Sequence, residues 1–415
     1  MTDIKLSLCI PTFNRARFLE HLLGTFIGLS DPGFTYEIVI SDNASTDDTT
    51  DVVRRFIERG LPITYFRRPE NGDGWPNLAN AYAHARGEYS LYLADDDFLV
   101  WENLGAAVKH LDQNPDMIVC HAPWYIHDAV ENRDVQLFYQ IDKPQHFKRG
   151  NFGGLFSFIV ERHIFPEIGI YRTAALRTVF VPRYFCFWAF AYVAEAIDMG
   201  TVGFFNKPFY RCVTRSKIVR DREQAGHEEV MTAWDRYRGG LEYLLYRGAL
   251  RNKIDLNPQT RAIYDRACTI FMMTRMSVAL RMWYARKEYL KAYELYARLA
   301  YAGFGNLPEV KQIAGHLPLM ASVQALVEKV NGVSDVKFVV LDSVTSIDSL
   351  AGLMAELGLN KEIEVIAPPT ERIEELAPVC AVFTADASRR AFFERQGYRP
   401  GLILSEAEIT GPFSV

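Results

Sequence analysis

Three consecutive carboxylates, Asp95, Asp96 and Asp97, interrupt an apolar stretch that runs from Glu88 to Leu99. Tyr89 to Ala94 has the length and aromatic content of a buried strand, so the acids fall at its C-terminal end. Open α/β sheets bind their ligands at that end. Adjacent anions beside a core strand repel one another, and a divalent cation or the hydroxyl groups of a ligand would offset that cost. A second apolar segment, Tyr36 to Ser41, also ends in an acid, Asp42, followed by Asn43-Ala44-Ser45-Thr46-Asp47-Asp48. Asp42 suits either a ligand contact or the start of a helix, where Asp and Ser side chains cap free N–H groups. Neither a Gly-x-Gly-x-x-Gly loop nor a Gly-Lys-Ser/Thr loop is present, so a phosphorylated ligand needs another neutraliser, and a metal on Asp97 would serve.

The elements that must position these acids alternate strictly. Lys5 to Pro11 reads as a strand closed by Pro11-Thr12-Phe13-Asn14-Arg15, then Phe18, Leu19, Leu22, Leu23 and Phe26 share one helical face. Tyr36 to Ser41 precedes a helix with Val52, Val53, Phe56 and Ile57 inward. Ile63 to Phe66, the turn Asn71-Gly72-Asp73-Gly74 and a helix from Trp75 to Ala85 lead into the strand before the triple aspartate. This β-α-β-α-β-α-β order predicts an α/β fold with a Rossmann-like, doubly wound, mostly parallel sheet. Beyond it, Trp101 to Leu111 reads as a helix, Met117 to Cys120 as a strand and Thr201 to Phe205 as a closing strand. His121 to Lys148 looks irregular, a place for acceptor-specific insertions.

With 415 residues, 49% of them hydrophobic, the chain can bury two or three cores. A net charge of -5 gives no case for nucleic acid as a partner. Cys9, Cys120, Cys186, Cys212, Cys268 and Cys380 lie far apart, mostly in apolar runs, and read as thiols of a reducing compartment. No signal-peptide pattern opens the chain, and its longest apolar run, Phe185 to Ala194, is half of the ~20 residues that a membrane span needs. The expected location is the cytoplasm, or the inner face of the cell membrane as a peripheral protein.

Four motifs in order carry a family resemblance: Cys9-Ile10-Pro11-Thr12-Phe13-Asn14-Arg15, Ile40-Ser41-Asp42-Asn43-Ala44-Ser45-Thr46-Asp47-Asp48-Thr49, Asn71-Gly72, and Gly87-Glu88-Tyr89 running into Asp95-Asp96-Asp97. The chain resembles the family 2 glycosyltransferases, which have the GT-A fold. The resemblance implies transfer of a sugar from a nucleotide-diphospho-sugar donor to a hydroxyl acceptor, with inversion at the anomeric carbon. It assigns Pro11, Thr12, Asn14 and Arg15 to the donor nucleotide's cradle. Asp42 would accept from the base N–H, which favours a UDP-sugar, and Asp95 and Asp96 would face the ribose and the sugar. Asp97 would ligate Mg²⁺ or Mn²⁺ against the diphosphate, whose developing charge a hard cation stabilises.

One departure stands out. The family's general base is usually an aspartate, often in a Glu-Asp pair before an amphipathic helix, but here that place reads Tyr184-Phe185-Cys186-Phe187-Trp188-Ala189-Phe190. Deprotonating a sugar hydroxyl calls for a carboxylate or imidazole in reach. Glu161, His163, Glu167 and Glu195 are the candidates, with Glu161 first because it follows the apolar run Leu155 to Val160, where desolvation would raise its pKa. Pairing of Glu161 with Arg162 or Arg172 is the structural alternative. Trp188 with its phenylalanine neighbours is either core or a platform for a sugar ring. Arg211, Arg215 and Lys217 would form either a lid over the diphosphate or a solvated loop.

The remaining chain divides by composition. Residues 1–218 would form the GT-A domain, 219–332 a basic helical domain and 333–415 a small α/β domain. Helices are expected at Glu228 to Leu250, Pro258 to Tyr284, Lys287 to Tyr301 and Glu309 to Val330. Asp235 to Ala300 holds 13 Lys and Arg against 6 Asp and Glu, an excess that fits an anionic membrane surface or a pyrophosphate-linked acceptor. The last segment, with strands near Val336 to Leu341, Ile363 to Ile366, Val379 to Phe383 and Leu402 to Leu404, reads as an interaction module or one for homo-oligomer formation. The acceptor would be a glycan, a lipid-linked sugar or a protein. Two other functions remain open: a catalytically silent nucleotide-sugar-binding scaffold, and a sugar nucleotidyltransferase, which should carry a glycine-rich, lysine-containing N-terminal loop that this chain lacks.

Overall fold

β1 (Leu6–Thr12) is buried on both faces, as a central strand between parallel neighbours must be. The computed structural model describes residues 4–29, 32–179, 186–219 and 231–407. Tyr184, Phe185 and the expected helix start at Glu228 lie outside the described residues. After β1 come α1 (Ala16–Phe26), β2 (Tyr36–Asp42), α2 (Thr49–Glu58), β3 (Ile63–Arg67), α3 (Gly74–His84) and β4 (Tyr89–Tyr92). The alternation expected from the sequence is therefore present, with boundaries moved by a residue or two. β5 (Phe98–Leu99), α4 (Trp101–Asp112), β6 (Met117–His121), β7 (Tyr125–Asp128), β8 (Arg133–Leu137) and β9 (Gln145–Phe147) follow. Then come α5 (Phe152–Glu161), β10 (Gly169–Arg172), α6 (Thr173–Leu176), α7 (Trp188–Met199), β11 (Thr201–Phe204) and β12 (Tyr210–Arg215).

The main sheet has the order β3-β2-β1-β4-β10-β6-β11-β9. Its β3-β2-β1-β4 half is parallel, while β10 runs antiparallel between β4 and β6, and β9 antiparallel to β11. Gly87 admits β4 to this half, because a Cβ there would stand 2.7 Å from the Ser7 backbone nitrogen. A second sheet, β5-β12-β7-β8, takes β7 and β8 from the stretch expected to be irregular. The reason it escaped the sequence is visible in β8: Arg133 to Gln136 are all exposed, so backbone pairing rather than apolar alternation holds that strand.

By its contacts the chain divides into two compact units, Met1–Gln224 with Asp235–Phe271, and Ala225–Trp234 with Met272–Val415. The helix Trp234–Leu250 packs so tightly on α7 that a Cβ on Gly240 would stand 2.7 Å from the Phe190 Cβ. Arg247 joins it to Glu195 at 2.8 Å and to Asp198 at 2.9 Å. Part of the basic helical region thus completes the first unit.

In the second unit, the helix expected from Glu309 to Val330 is two helices, Pro308–Ala314 and Leu317–Asn331. Pro318 sits in the first turn of the second, where its missing N–H costs nothing and where a continuous helix would be broken. Parallel strands β13 (Phe338–Asp342), β14 (Glu364–Ile366), β15 (Cys380–Thr384) and β16 (Ile403–Ser405) form a sheet in the order β14-β13-β15-β16. This is the small α/β unit expected at the C-terminus, although contacts group it with the helices before it. Among the described residues no helix is long and apolar enough to cross a membrane.

Candidate active site

Parallel pairing brings the loops after β1, β2 and β4 to one edge of the sheet. The β1–β2 register sets Thr12 opposite Asp42, and β1–β4 pairing carries Tyr92 alongside Cys9, just before the acids. Thr12 Oγ1 donates to Asp95 Oδ2 at 2.7 Å, and Arg15 Nε donates to Asp95 Oδ1 at 2.7 Å. The same guanidinium pairs with Asp96 and lies over the Phe18 ring. Arg15 therefore offsets the repulsion between two of the three acids, in the way that a cation was expected to. Pro11 lies half-buried in β1 beside this contact.

Asn14 has a positive φ of 51°, a conformation that Asn tolerates better than most residues. Its backbone N–H donates to Ser45 Oγ and its side-chain oxygen accepts from Thr46 N–H at 2.7 Å, fastening the β1 loop to the β2 loop. Asp47 accepts from Ala16 N–H and from Thr49 N–H, so one side chain caps the starts of α1 and α2. Burial would raise the Asp47 carboxyl, but the bonds from Thr49 and Ala16 together hold it below the usual range.

Asp42 is fully buried. Oδ1 accepts from Ser45 N–H at 2.9 Å, within the loop ahead of α2, and Oδ2 accepts from Tyr65 OH at 2.6 Å. Burial first, then the Asp42 carboxylate, push the Tyr65 phenol up to about 12. Two oxygens offer about four acceptor sites, so room remains for a further donor.

The three acids divide by environment. Asp96 lines a cavity of about 640 Å³ together with Phe18, Leu22, Phe98, His127 and Arg211. Asp97 is turned inward: Oδ2 accepts from Tyr210 OH at 2.8 Å and Oδ1 from Val213 N–H at 2.7 Å. Tyr210 OH also accepts from Ala94 N–H, which ties the end of β4 to β12. Both Asp97 oxygens thus also serve the fold.

The candidate bases scatter. Glu161 ends α5 and is exposed, without the burial on which its choice rested. Its suggested partners are engaged elsewhere, Arg162 over the Phe158 ring and Arg172 with Glu88 and the Met117 carbonyl. His163 packs against Phe165 and Phe271 in an aromatic cluster. Glu195 accepts from Tyr243 OH at 2.5 Å and from Arg247, which is a structural role. Glu167 lies half-buried two residues before β10. Arg211 and Arg215 are not on a lid: they belong to β12 and pair with Asp134 and Asp128 at 2.8 Å and 2.7 Å. Lys217 lines the cavity.

Several participants escaped the sequence. Asn43 accepts from Gly72 N–H and Arg68 and donates to Asn71, which makes it the anchor of the Asn71-Gly72 turn. Asn77 donates to the carbonyls of Thr12 and Ser41 and so holds α3 against both loops. Trp188 is half-buried and stacks on Trp75 with centroids 5.6 Å apart, whereas Phe187 and Phe190 are core. Trp75 follows a turn motif that gave no hint of this partner.

Residues 7–180 match the model of glycosyl transferase family 2. The match covers fewer than half of the 415 residues. Among curated proteins, the abequosyltransferase RfbV of Salmonella typhimurium is 30% identical over 168 residues, which are 37% of this chain and 50% of that one. The poly(ribitol-phosphate) beta-N-acetylglucosaminyltransferase TarS of Staphylococcus aureus is 28% identical over 112 residues, 27% of this chain and 19% of that one. The chain thus spans half or less of the length of these relatives. The solved structure of S. aureus TarS 1-349 in complex with UDP-GlcNAc is 17% identical, with a TM-score of 0.48 over 77% of this chain and 85% of that one. The α/β, family 2 expectation drawn from the four motifs holds.

Proposed function

We propose that the chain is an inverting glycosyltransferase that moves a sugar from a nucleotide-diphosphate donor to a hydroxyl acceptor in the synthesis of a surface polysaccharide or glycoconjugate. The observation that carries this reading is the convergence of the β1, β2 and β4 loops of a family 2 domain, with Thr12, Arg15, Asp42, Asp95 and Asp96 at one sheet edge. The names of the relatives, an abequosyltransferase and a poly(ribitol-phosphate) sugar transferase, support the same class. The acceptor capacity left on Asp42 supports a UDP-sugar. A sugar nucleotidyltransferase loses ground because Arg15, not a glycine-rich loop with lysine, meets the acids.

Mg²⁺ or Mn²⁺ fits this donor set in one respect. The described residues hold no cluster of three or more His, Cys, Asp or Glu, so a cation here would rely on few carboxylates plus phosphate oxygens, which is how Mg²⁺ is commonly bound. Asp97, or Asp96 where it faces the cavity, would hold it, and when bound it would neutralise charge on the leaving diphosphate. The positive excess of Asp235 to Ala300 supports contact with an anionic membrane face, and a homo-oligomer through the C-terminal unit is part of the same reading.

Release of nucleoside diphosphate from a panel of UDP-, dTDP- and GDP-sugars, with and without Mn²⁺, tests the reading. Turnover of one donor is expected. Binding without turnover of any donor would leave the silent scaffold as the function.

A further inference from the structure

Because β10 is inserted antiparallel beside β4, the residues that precede it lie at the acid end of the sheet. Ile170 pairs with Leu91 and Tyr171 with Ser90. Glu167 lies three residues before Ile170, in the turn that leads into β10, toward the end of β4 that the acids follow. Tyr92, the last residue of β4, presents one face of the sheet there. The electrostatics agree: burial first, then Asp97, Asp95 and Glu167, drive the Tyr92 phenol far above its ordinary range.

An aromatic wall stands on this face. Tyr92 meets the Trp188 ring edge-on at 6.2 Å, and Trp188 stacks on Trp75, which in turn meets Tyr192 at 5.2 Å. Trp75, Trp188 and Tyr92 are half-buried, so each keeps part of its surface for a ligand. Stacked indoles beside a carboxylate match a pyranose ring, which offers an apolar C–H face to aromatics and hydroxyls at its rim.

We propose that this face is the acceptor site, with Glu167 as the general base and the Trp75–Trp188 wall as the platform for an acceptor sugar. The proposal rests on the glycosyltransferase reading above. In the step it assigns, the acceptor hydroxyl oxygen attacks the anomeric carbon and its proton passes to the Glu167 carboxylate. The bond from the anomeric carbon to the diphosphate oxygen breaks, and the nucleoside diphosphate leaves with both electrons. Glu161, His163 and Glu195 take no part, since none is brought to the end of β4.

The test uses the full chain, the nucleotide sugar that the wild type turns over, and water as the acceptor, so that no acceptor need be known. Glu167→Gln should lower kcat for nucleoside diphosphate release by ~10²–10⁴ while donor affinity and melting temperature stay at wild-type values. Glu167→Asp, which keeps the charge on a shorter arm, should retain more activity than the glutamine variant. A merely structural glutamate predicts the opposite ranking, because glutamine preserves its shape. Wild-type kcat in Glu167→Gln overturns the proposal, as does an aspartate variant no better than the glutamine one. If Glu167→Gln fails to fold, the aspartate variant decides alone: unchanged kcat overturns the role, and reduced kcat at unchanged donor affinity supports it. Absence of turnover by the wild type with every donor counts instead against the glycosyltransferase reading itself.

Discussion

Replacing Asp97 with asparagine separates two roles for that acid, metal ligand and internal clamp. Relief of repulsion among three carboxylates argues that the variant should gain stability. Arg15 already offsets Asp95 and Asp96, which leaves little repulsion to relieve. Against that small gain stand two bonds to a side chain only 6% exposed, from Tyr210 OH and Val213 N–H. The asparagine oxygen can keep one donor. Its amide then faces the other, and because Tyr210 OH already accepts from Ala94 N–H, the phenol proton is left without an acceptor from Asp97.

One stranded buried donor costs about 1–3 kcal/mol, and the loss of both acceptors in Asp97→Ala about twice that. At about 2–4 °C per kcal/mol for a domain of this size, Asp97→Asn should melt about 2–12 °C below wild type, with the alanine variant lower still. The Tyr210→Phe and Asp97→Asn double variant should lose less than the sum of the singles, since the two groups share one bond. Near-ultraviolet circular dichroism melts of the four proteins give the answer. An asparagine variant as stable as wild type, yet inactive, would refute the clamp and restore Asp97 as the ligand.

Three further outcomes are expected. Asp42→Ala should weaken UDP binding by about 1–3 kcal/mol in calorimetry, the usual effect of stranding a buried partner, and equal affinity would end its role toward the base. His121 is fully buried with its pKa pushed down from 6.5 to about 4 by desolvation, so its neutral form favours the folded state. That stability is complete above the unfolded pKa and is lost as pH falls from 6.5 towards 4, a change on the order of 3 kcal/mol that His121→Gln should flatten in denaturant titrations. Co-sedimentation with phosphatidylglycerol vesicles should fall steeply with salt, because each surface Lys or Arg contributes ~1 kcal/mol and the screening length is ~8 Å at physiological ionic strength. Equal binding to neutral vesicles would remove the electrostatic explanation.

What the sequence disclosed and what it hid follow from how each part of the site is encoded. The loops after β1, β2 and β4 were legible because parallel strands with short crossovers must place their C-terminal ends together, so Thr12, Asp42 and Asp95 needed no tertiary knowledge beyond alternation. The division of labour among Asp95, Asp96 and Asp97 was not legible, because it depends on Tyr210 and Val213 of β12, more than a hundred residues on. β12 in turn belongs to a sheet whose β8 strand leaves no apolar alternation.

The carboxylate proposed as the base hides for a related reason. Gly169–Arg172 is four residues long, and nothing in Gly-Ile-Tyr-Arg tells that it enters the sheet against the direction of its neighbours. Only that reversal carries the preceding Glu167 to the end of β4 that holds the acids. Choosing Glu161 by the apolar run before it treated burial as a property of nearby sequence. The run is the buried face of α5, and the acid that ends it points out of that face. A carboxylate becomes a base by the strand end on which it falls, and here the antiparallel insertion decides which end that is.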